Sequence, residues 1–232
     1  MREVTRVTTR PFVFINSAMS ADGKISSFER CQVRISGKED KARVDLLRAE
    51  CDAIMVGVGT VLADDPSLHV KSQSYREQRR MKGQPDGPLR VVADSRARTP
   101  PSAQVLGPGS ILAVSRSAAK ERLDRIASTG SEIIVCGREK VDLAELFSQL
   151  FDRGIRRLMV EGGATLNWSL IDLGLVDEIY VYVGAMIIGG KSAPALVDGP
   201  GFREHFPRLT LSHVQPLDEG VLLKWRVSGR QP

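Results

Sequence analysis

The chain has 232 residues, of which 42% are hydrophobic and 26% are charged, so it can bury an ordinary core and is not disordered as a whole. No apolar run reaches the roughly 20 residues that a membrane-spanning helix needs, and residues 1–10 contain no apolar signal core. These features predict a cytoplasmic protein that does not insert into membranes. The formal net charge of +5 suits nucleic acid, but it suits an anionic cofactor and a phosphorylated substrate equally well.

Residue types that bind metals are few and scattered. The three cysteines, Cys31, Cys51 and Cys136, are odd in number and widely spaced, which indicates reduced thiols rather than a disulfide framework or a zinc site. The histidines do not cluster either, so we expect no metal. Aromatic residues make up 5% of the chain, and no stretch combines them with basic residues as a single-strand binding platform would.

Apolar and β-branched runs predict strands, and apolar residues at helical spacing predict helices. The predicted strands are residues 12–15, 53–56, 89–93, 111–114, 132–136, 157–160 and 178–183, with an antiparallel pair at 209–215 and 220–227. One predicted helix follows a capping box at 36–39. Three more are predicted over 117–129, 143–150 and 166–173. The polar residues 71–88 predict an exposed loop.

The alternation of strands and helices predicts a mainly parallel sheet covered by helices on both faces. No linker or repeat divides the sequence, so we expect one α/β domain over residues 1–232, with a core of about 11–228 and a C-terminal antiparallel hairpin. In open α/β sheets ligands bind beyond the carboxyl ends of the strands. Candidate functional residues are therefore expected in those loops.

The turn Glu161–Leu166 follows one predicted strand and precedes a helix. Gly162 and Gly163 permit close backbone approach, and the helix offers unpaired N–H groups, which together suit a phosphate or pyrophosphate. The turn is not the Gly-x-Gly-x-x-Gly fingerprint of dinucleotide-binding folds. It is also consistent with a tight turn that binds nothing.

A second glycine-containing loop, residues 57–66, follows another predicted strand. Its two glycines again allow a ligand to approach the backbone, Thr60 supplies a hydroxyl, and Asp64 or Asp65 supplies an acceptor. The two acids could bind a metal, but the proline directly after them favours a capped turn.

Residues 94–98 and 115–117 end two further strands with hydroxyls and guanidiniums, which suit a ribose phosphate such as the 2′-phosphate of NADP. The alternative is solvated surface charge. Residues 16–24 end the first strand, where Asn16 can donate and accept hydrogen bonds at the edge of a heterocycle, although Asp22 and Gly23 are also consistent with a simple turn. Together, the four loops predict a nucleotide-type pocket at one edge of the sheet.

With these motifs in this order, the chain resembles the riboflavin-pathway reductase family, which has the dihydrofolate-reductase-like fold and includes the C-terminal domain of the bacterial deaminase-reductase. The matching stretches span nearly the whole chain. They are residues 19–23, 47–49, 59–66, 92–95, 160–168 and 174–178. The chain lacks the His-x-Glu and Pro-Cys-x-x-Cys zinc signature of a deaminase half, so it resembles the stand-alone archaeal and fungal enzymes.

That resemblance implies that a homodimer reduces 2,5-diamino-6-ribosylamino-4(3H)-pyrimidinone 5′-phosphate to the ribitylamino compound with NADPH. The implied cofactor contacts are Thr60, Asp64, Asp94, Ser95, Arg96, Gly162, Gly163, Ala164, Thr165 and Leu166. The implied substrate contacts are Asn16, Arg48, Leu68, Lys71 and Glu161. The stand-alone type tends to have Asn at position 16, where the bacterial fused type has Lys.

The sequence departs from the family pattern at two places. The family often has three glycines in the turn, whereas here the third is Ala164, which is tolerable if its φ is negative. After the strand that ends near Val183 the family usually has Ala-Pro-Lys, whereas this chain has Gly184-Ala185-Met186. Any role of that lysine is missing from this chain.

The expected chemistry is hydride transfer to C1′ of the ribosyl group after the glycosylamine opens to an imine, with the reacting carbons at about 3–3.5 Å. Glu161 is the candidate to anchor the ribose hydroxyls or relay a proton, and the substrate's own amine or a water is the alternative proton source. Other functions stay open. They are a bacterial-type reductase of the deaminated pyrimidinedione, a dihydrofolate reductase, a nucleotide-binding module without catalysis and, from charge alone, nucleic-acid binding. A dihydrofolate reductase carries its pterin-binding acid on a helix after the first loop, where this chain has Arg43, Asp45 and Arg48.

Overall fold

The computed structural model describes residues 9–31 and 33–228. Its strands are β1 (Phe12–Ser20), β2 (Ala53–Gly57), β3 (Leu89–Ala93), β4 (Ser110–Val114), β5 (Glu132–Val135), β6 (Arg157–Val160), β7 (Glu178–Gly184), β8 (Arg208–Leu217) and β9 (Gly220–Ser228). Its helices are α1 (Lys38–Glu50), α2 (Val58–Asp64), α3 (Gln73–Met81), α4 (Lys120–Ala127), α5 (Leu143–Asp152) and α6 (Ala164–Asp172). Within these described ranges, no helix is long and apolar enough to cross a bilayer.

The strands form one nine-stranded sheet in the order β5-β4-β3-β2-β6-β1-β7-β9-β8. Strands β1 to β7 pair in parallel, and β9 and β8 extend the sheet in antiparallel fashion at one edge. The inner strands are short and apolar because both of their faces are covered. The predicted fold class, a mainly parallel sheet with a C-terminal antiparallel hairpin, is confirmed.

Helices cover the two faces of the sheet and form two cores. On one face, α5 and α6 pack against the strands, with Phe147 fully buried. On the other face, α1 and α4 contribute Leu47 and Ile126. Because side chains alternate along a strand, Ile15 of β1 belongs to the first core and Phe14 to the second.

The structure contains two helices that the sequence pattern did not indicate. α2 occupies most of the second glycine-containing loop, and α3 makes the predicted exposed loop wrong for residues 73–81. α3 buries a charged residue rather than an apolar stripe: Arg79 is 4% exposed and donates to the carbonyls of Ala49, Cys51 and Pro85. A helix held by one buried guanidinium leaves no hydrophobic periodicity to detect.

The boundaries of β1, α4 and α6 also differ from the prediction. β1 continues to Ser20 rather than ending at Ile15, because its later residues pair with β7. The helix expected over 117–129 is shortened to α4, and α6 begins at Ala164 rather than Leu166. The glycine turn therefore leads directly into the first turn of α6.

The cysteines are free, as the sequence indicated. Cys31 is exposed, whereas Cys51 and Cys136 are buried. Burial raises the pKa of Cys51 to about 12 and that of Cys136 to about 11. Both are therefore neutral thiols that pack as small apolar side chains.

The first turn of α1 is capped by a residue from far along the chain, so the predicted capping box is wrong. The N-cap is Gly37, which has no side chain to bond. Instead, the carboxylate of Asp218, between β8 and β9, accepts hydrogen bonds from the N–H groups of Glu39 at 3.0 Å and Asp40 at 2.9 Å. A Cβ on Gly37 would stand 2.3 Å from the carboxyl carbon of Asp218, so only glycine admits this cap. The C-terminal hairpin is thereby attached to α1.

We expect Asp218→Asn to destabilise the protein, because a carboxylate at a helix N-terminus accepts backbone N–H bonds and complements the helix dipole. Hydrogen bonds from Asp40 and Glu39 lower the pKa of Asp218 from its ordinary value of 3.8. Its contribution is therefore complete above pH 3.8 and is lost as the pH falls through the lower folded-state value.

Urea unfolding at several pH values checks this prediction. The difference in unfolding free energy between wild type and Asp218→Asn should be largest near neutral pH and shrink below pH 3.8. Glu219→Gln is the matched control, since it removes a charge at the neighbouring position. An equal loss of stability in the control would contradict the capping role.

Candidate active site

The carboxyl ends of three neighbouring parallel strands meet at one edge of the sheet, as predicted. Ile15 of β1 and Met55 of β2 both pair with Val160 of β6. Asn16 is the next residue of β1 and Glu161 directly follows β6, so they lie side by side in register. Alternation directs both side chains to the face that α1 covers.

Arg48, in the last turn of α1, forms a bidentate ion pair with Glu161. Nε of Arg48 lies 2.7 Å from Oε1, and Nη2 lies 2.7 Å from Oε2. The two side chains are 14% and 15% exposed, so little solvent screens the pair. Burial lowers the pKa of Arg48, but the charge and hydrogen bonds of Glu161 outweigh it, and the pKa is raised overall. The structure thus brings together two of the predicted substrate residues.

Asn16 lies beside this ion pair and has an unused acceptor. Its side chain is 7% exposed, and within the described part of the chain its Oδ1 has no hydrogen-bond partner. A buried polar atom without a partner is costly. The amide can therefore accept a hydrogen bond from a ligand, as the sequence suggested for a heterocycle edge.

Two further predicted substrate residues lie on the loop that packs against α1. The side chain of Leu68 is 1% exposed and belongs to the core, so only its main chain could contact a substrate, whereas Lys71 is exposed. Asp45 of α1 accepts hydrogen bonds from the N–H groups of Lys71 at 2.6 Å and Ser72 at 2.8 Å. This acid, which lies on the helix that corresponds to the one bearing the pterin-binding acid in dihydrofolate reductases, is thus engaged by the backbone.

The glycine turn forms an open helix N-terminus next to Glu161. Gly162 has φ +92°, a conformation that L side chains rarely adopt, and the Gly162–Gly163 peptide is cis. Gly163 is the N-cap of α6 and leaves the helix without a side-chain cap. The N–H groups of the first turn have no partner inside the helix and can bind an anion. Ala164 is already helical, so its methyl group is tolerated.

The second glycine-containing loop lies directly against this turn. The N–H of Gly57 donates to the carbonyl of Gly162 at 2.8 Å. Oγ1 of Thr60, in α2, lies 3.1 Å from the place that a Cβ on Gly163 would take. The lack of a side chain at 163 therefore lets the N-terminal parts of α2 and α6 approach, and it brings the predicted cofactor residue Thr60 to the glycine turn.

The two aspartates after Thr60 have different surroundings. Asp64 is exposed on the surface, although partial desolvation raises the pKa of its carboxyl group. The backbone of Asp65 is in the left-handed region, with φ +41°, and its carboxylate accepts a hydrogen bond from the N–H of Gln104 at 2.9 Å. That bond favours the capped turn over a metal ligand, and among residues 9–31 and 33–228 no group of three or more His, Cys, Asp or Glu could hold a metal.

Asp94 shapes the turn after β3. It is fully buried, and its Oδ2 accepts hydrogen bonds from the N–H of Thr99 at 2.7 Å and from its hydroxyl at 2.9 Å. Asp94 thereby positions Ser95 and the exposed Arg96, and its carboxylate is engaged by the turn itself. A direct cofactor contact by Asp94 stays a prediction that this bonding does not favour.

The structure adds a loop, residues 137–142, that sequence reasoning did not single out. The N–H of Val141 donates to Oγ of Ser95 at 3.0 Å, and the hydroxyl of Ser115 donates to the carbonyl of Glu139 at 3.1 Å. The loop therefore closes over the ends of β3 and β4. The available signal was Gly137, a glycine directly after a predicted strand, as in the loops that were recognised.

The segment that departs from the family pattern, and the residues that follow it, are fixed to the loop after β1, where the N–H of Ala21 donates to the carbonyl of Met186 at 2.8 Å. Asp22 accepts hydrogen bonds from the hydroxyl of Ser20 at 2.6 Å and from the N–H groups of Ile188 and Gly189 at 3.0 and 2.7 Å. The bond from Ser20 and those from the backbone lower the pKa of Asp22 to about 2. Gly184 abuts Ile35, since a Cβ there would stand 2.8 Å from it. Asp22 thus belongs to a turn and also joins two segments near the strand ends.

Comparison with known proteins agrees with this architecture. Residues 11–223 match the family described as the RibD C-terminal domain. The chain is 48% identical to the 2,5-diamino-6-ribosylamino-4(3H)-pyrimidinone 5′-phosphate reductase of Archaeoglobus fulgidus, over 94% of this chain and 98% of that protein. It is 45% identical to the protein of the same name from Methanothermobacter thermautotrophicus, over 95% of this chain and 100% of that protein.

A solved structure shares the fold. A pyrimidine reductase-like protein from Corynebacterium diphtheriae aligns with a TM-score of 0.82 and 19% identity, over 94% of this chain and 92% of that chain. The fold that the resemblance implied is thereby confirmed. Given a match that runs through β1, the glycine turn and β7, the chain belongs to the RibD C-terminal domain family.

Proposed function

We propose that this protein reduces 2,5-diamino-6-ribosylamino-4(3H)-pyrimidinone 5′-phosphate to the ribitylamino compound with NADPH, as a step of riboflavin biosynthesis. The observation that carries the proposal is the Arg48–Glu161 ion pair beside Asn16, directly before the glycine turn of α6. A polar, charged half of the site thus adjoins a half suited to phosphates. The names of the relatives at 48% and 45% identity support the same substrate.

The glycine turn and α2 fit the diphosphate of a nicotinamide nucleotide. The open N-terminus of α6 offers unpaired N–H groups, and Thr60 adds a hydroxyl at the same place. Exposed Arg96 and the hydroxyl of Ser95, at the end of β3, would hold the 2′-phosphate that distinguishes NADPH from NADH. Bound there, the cofactor would supply the hydride.

The opposite half of the site suits a phosphorylated ribosylamino-pyrimidine. Arg48 and Lys71 are the cations available to its phosphate, and Glu161 is an acceptor for ribose hydroxyls. The amide of Asn16, whose Oδ1 is unpartnered among the described residues, would bind the edge of the pyrimidinone. Substrate held this way would have C1′ on the side of the glycine turn, where a hydride donor is required within about 3–3.5 Å.

The ion pair favours anchoring over proton transfer as the role of Glu161. Both carboxylate oxygens accept hydrogen bonds from Arg48 at 2.7 Å, so the carboxylate is already engaged by a guanidinium. After ring opening the substrate has a C1′=N bond, so hydride adds to carbon while the nitrogen takes a proton. We propose that this proton comes from water or from the substrate's own amines, with Glu161 holding the open chain.

Substrate-dependent oxidation of NADPH tests the proposed function. The purified protein should oxidise NADPH when the diamino compound is supplied, more slowly when the deaminated pyrimidinedione is supplied, and not with dihydrofolate. Replacing NADPH by NADH should lower kcat/KM. NADPH binding without oxidation in the presence of the diamino compound would refute the activity and leave a binding module.

Glu161→Gln should lower kcat/KM for the diamino compound by about 100-fold, because a neutral amide cannot accept both guanidinium N–H bonds or anchor the ribose as an anion does. The shape of the pH–rate profile should not change, since the proton comes from elsewhere. Glu132→Gln, which alters a surface ion pair on β5, is the control. Wild-type turnover of Glu161→Gln at every pH would exclude both anchoring and proton relay.

We also propose that the protein is a homodimer whose contact includes the exposed edge strand β8. Leu209, Leu211 and Val214 are 44%, 47% and 51% exposed, and among the described strands β8 pairs on one side only, with β9. An exposed edge strand with apolar side chains is a surface for association. Leu211 lies opposite Trp225 of β9, so the apolar surface extends across the hairpin.

Leu211→Lys should therefore shift the protein from dimer to monomer in sedimentation or light scattering, against a chain mass of 25.4 kDa. The adjacent Thr210→Lys places the same charge on the other face of the strand and should leave the dimer intact. A wild-type mass of one chain would refute the dimer. If both variants dissociate the dimer to the same extent, the contact does not lie on the Leu211 face of the strand.

A further inference from the structure

His69 joins two arginines that approach it from different elements. Its Nε2 lies 2.6 Å from Nη1 of Arg90, a residue of β3. Its main-chain carbonyl accepts a hydrogen bond from Nη1 of Arg48 at 3.2 Å, the same guanidinium whose other nitrogens bind Glu161. A continuous chain of contacts therefore runs from Arg90 through His69 and Arg48 to Glu161.

Arg90 is held rigidly in this arrangement. It is 7% exposed, and its Nη2 donates to the carbonyl of Pro108 at 2.6 Å. A guanidinium is a donor only, so Nε2 of His69 must be the acceptor and the imidazole is neutral. Desolvation, then the charges of Arg90 and Arg48, lower the pKa of His69 from its ordinary value of 6.5.

His69 lies at the centre of the loop that carries the proposed phosphate contacts. The preceding Leu68 is left-handed, with φ +55°, and buries its side chain in the core. On the other side, Asp45 fixes the N–H groups of Lys71 and Ser72. Residues 68–72 are thus attached to the core, to β3 and to α1.

We propose that Arg90 and His69 are positioning residues for substrate binding: Arg90 holds the neutral imidazole of His69 and thereby fixes residues 68–72 and, through the carbonyl of His69, the guanidinium of Arg48 at the place where the substrate phosphate binds. The proposal rests on the proposed function for the identity of the substrate. Neither residue takes part in the hydride transfer. Their loss raises the KM for substrate and leaves kcat and the KM for NADPH nearly unchanged.

The charges around His69 make this contact dependent on pH. Arg90 from β3 and Arg48 from α1 face it as cations, and Lys71 is the cation on its own loop. The nearby carboxylates already have partners: Asp45 accepts from the amides of the loop, and Glu161 pairs with Arg48. A proton on His69 would place two cations in contact. The contact is therefore complete above pH 6.5 and is lost as the pH falls through the lowered value of the folded state.

Two substitutions distinguish the role of His69 as a hydrogen-bond acceptor from the effect of its protonation. His69→Leu removes the acceptor and should raise the substrate KM by about 5- to 10-fold at pH 8. His69→Gln keeps an acceptor that does not titrate, so its KM at pH 8 should be close to that of wild type. His205→Gln, in the exposed loop before β8, is the matched histidine control.

At each pH the substrate KM of wild type is compared with that of His69→Gln, because the substrate phosphate itself titrates near pH 6 and affects both proteins. Between pH 8 and pH 5.5 the substrate KM of wild type should rise several-fold more than that of His69→Gln, with kcat changing equally in both. Identical profiles for wild type and His69→Gln would overturn the proposal. So would an unchanged substrate KM in His69→Leu, or an equal rise in its KM for NADPH.

Hydrogen exchange tests the positioning without any turnover. In His69→Leu and Arg90→Lys the amides of Lys71 and Ser72 should exchange about 10-fold faster than in wild type, while amides of β1 and β6 keep their rates. Unchanged exchange at 71 and 72 overturns the proposal whatever the kinetics show. If wild type fails to oxidise NADPH with the diamino compound, the proposed function fails, and exchange alone decides whether Arg90 and His69 hold the loop.

Discussion

The bidentate contact between Arg48 and Glu161 is the interaction on which the site depends. It joins the last turn of α1 to the end of β6, two elements that are far apart in sequence. A carboxylate that is 15% exposed would be strongly destabilising without a partner. Because the guanidinium is a planar fork, the pair sets both the distance and the orientation of the helix relative to the strand end.

Several other features follow from this contact. Arg48 uses its third nitrogen to hold the carbonyl of His69, so the helix also fixes the loop at 68–72. Gly162 comes directly after Glu161, so the turn into α6 starts from a fixed point. The ion pair therefore separates the edge of the sheet into two regions. One has charged and amide side chains, and the other has backbone N–H groups.

Elements with strong local signals were predicted well, and elements held by distant contacts were not. β2, β3, β4 and β6 are runs of apolar residues with buried faces, and the prediction of their positions is confirmed within a residue. α3 and the N-terminal cap of α1 escaped prediction because Arg79 and Asp218 act on main-chain groups from another part of the chain. No periodicity or capping pattern within a short window contains that information.

In the candidate site, too, local signals in the sequence were predictive and contacts between distant residues were not. Strand-end loops with glycine, hydroxyl and charged residues could be recognised in sequence, because parallel strands place their carboxyl ends at one edge. Asp94 and Leu68 show the limit, since one has its carboxylate engaged by a turn and the other has its side chain in the core. Whether a side chain faces a ligand or its own backbone is decided by tertiary contacts.

By itself, the sequence determined the positions of the apolar strands, the positions of the glycines and the family to which the motifs belong, because these depend on residue type and local spacing. Only the tertiary structure decided that Arg48 meets Glu161, that Asp45 and Arg90 hold one loop, and that Thr60 lies against Gly163. The physical reason is that each of these contacts joins groups from separate elements. Their distance is fixed by packing and strand register, which no local segment encodes.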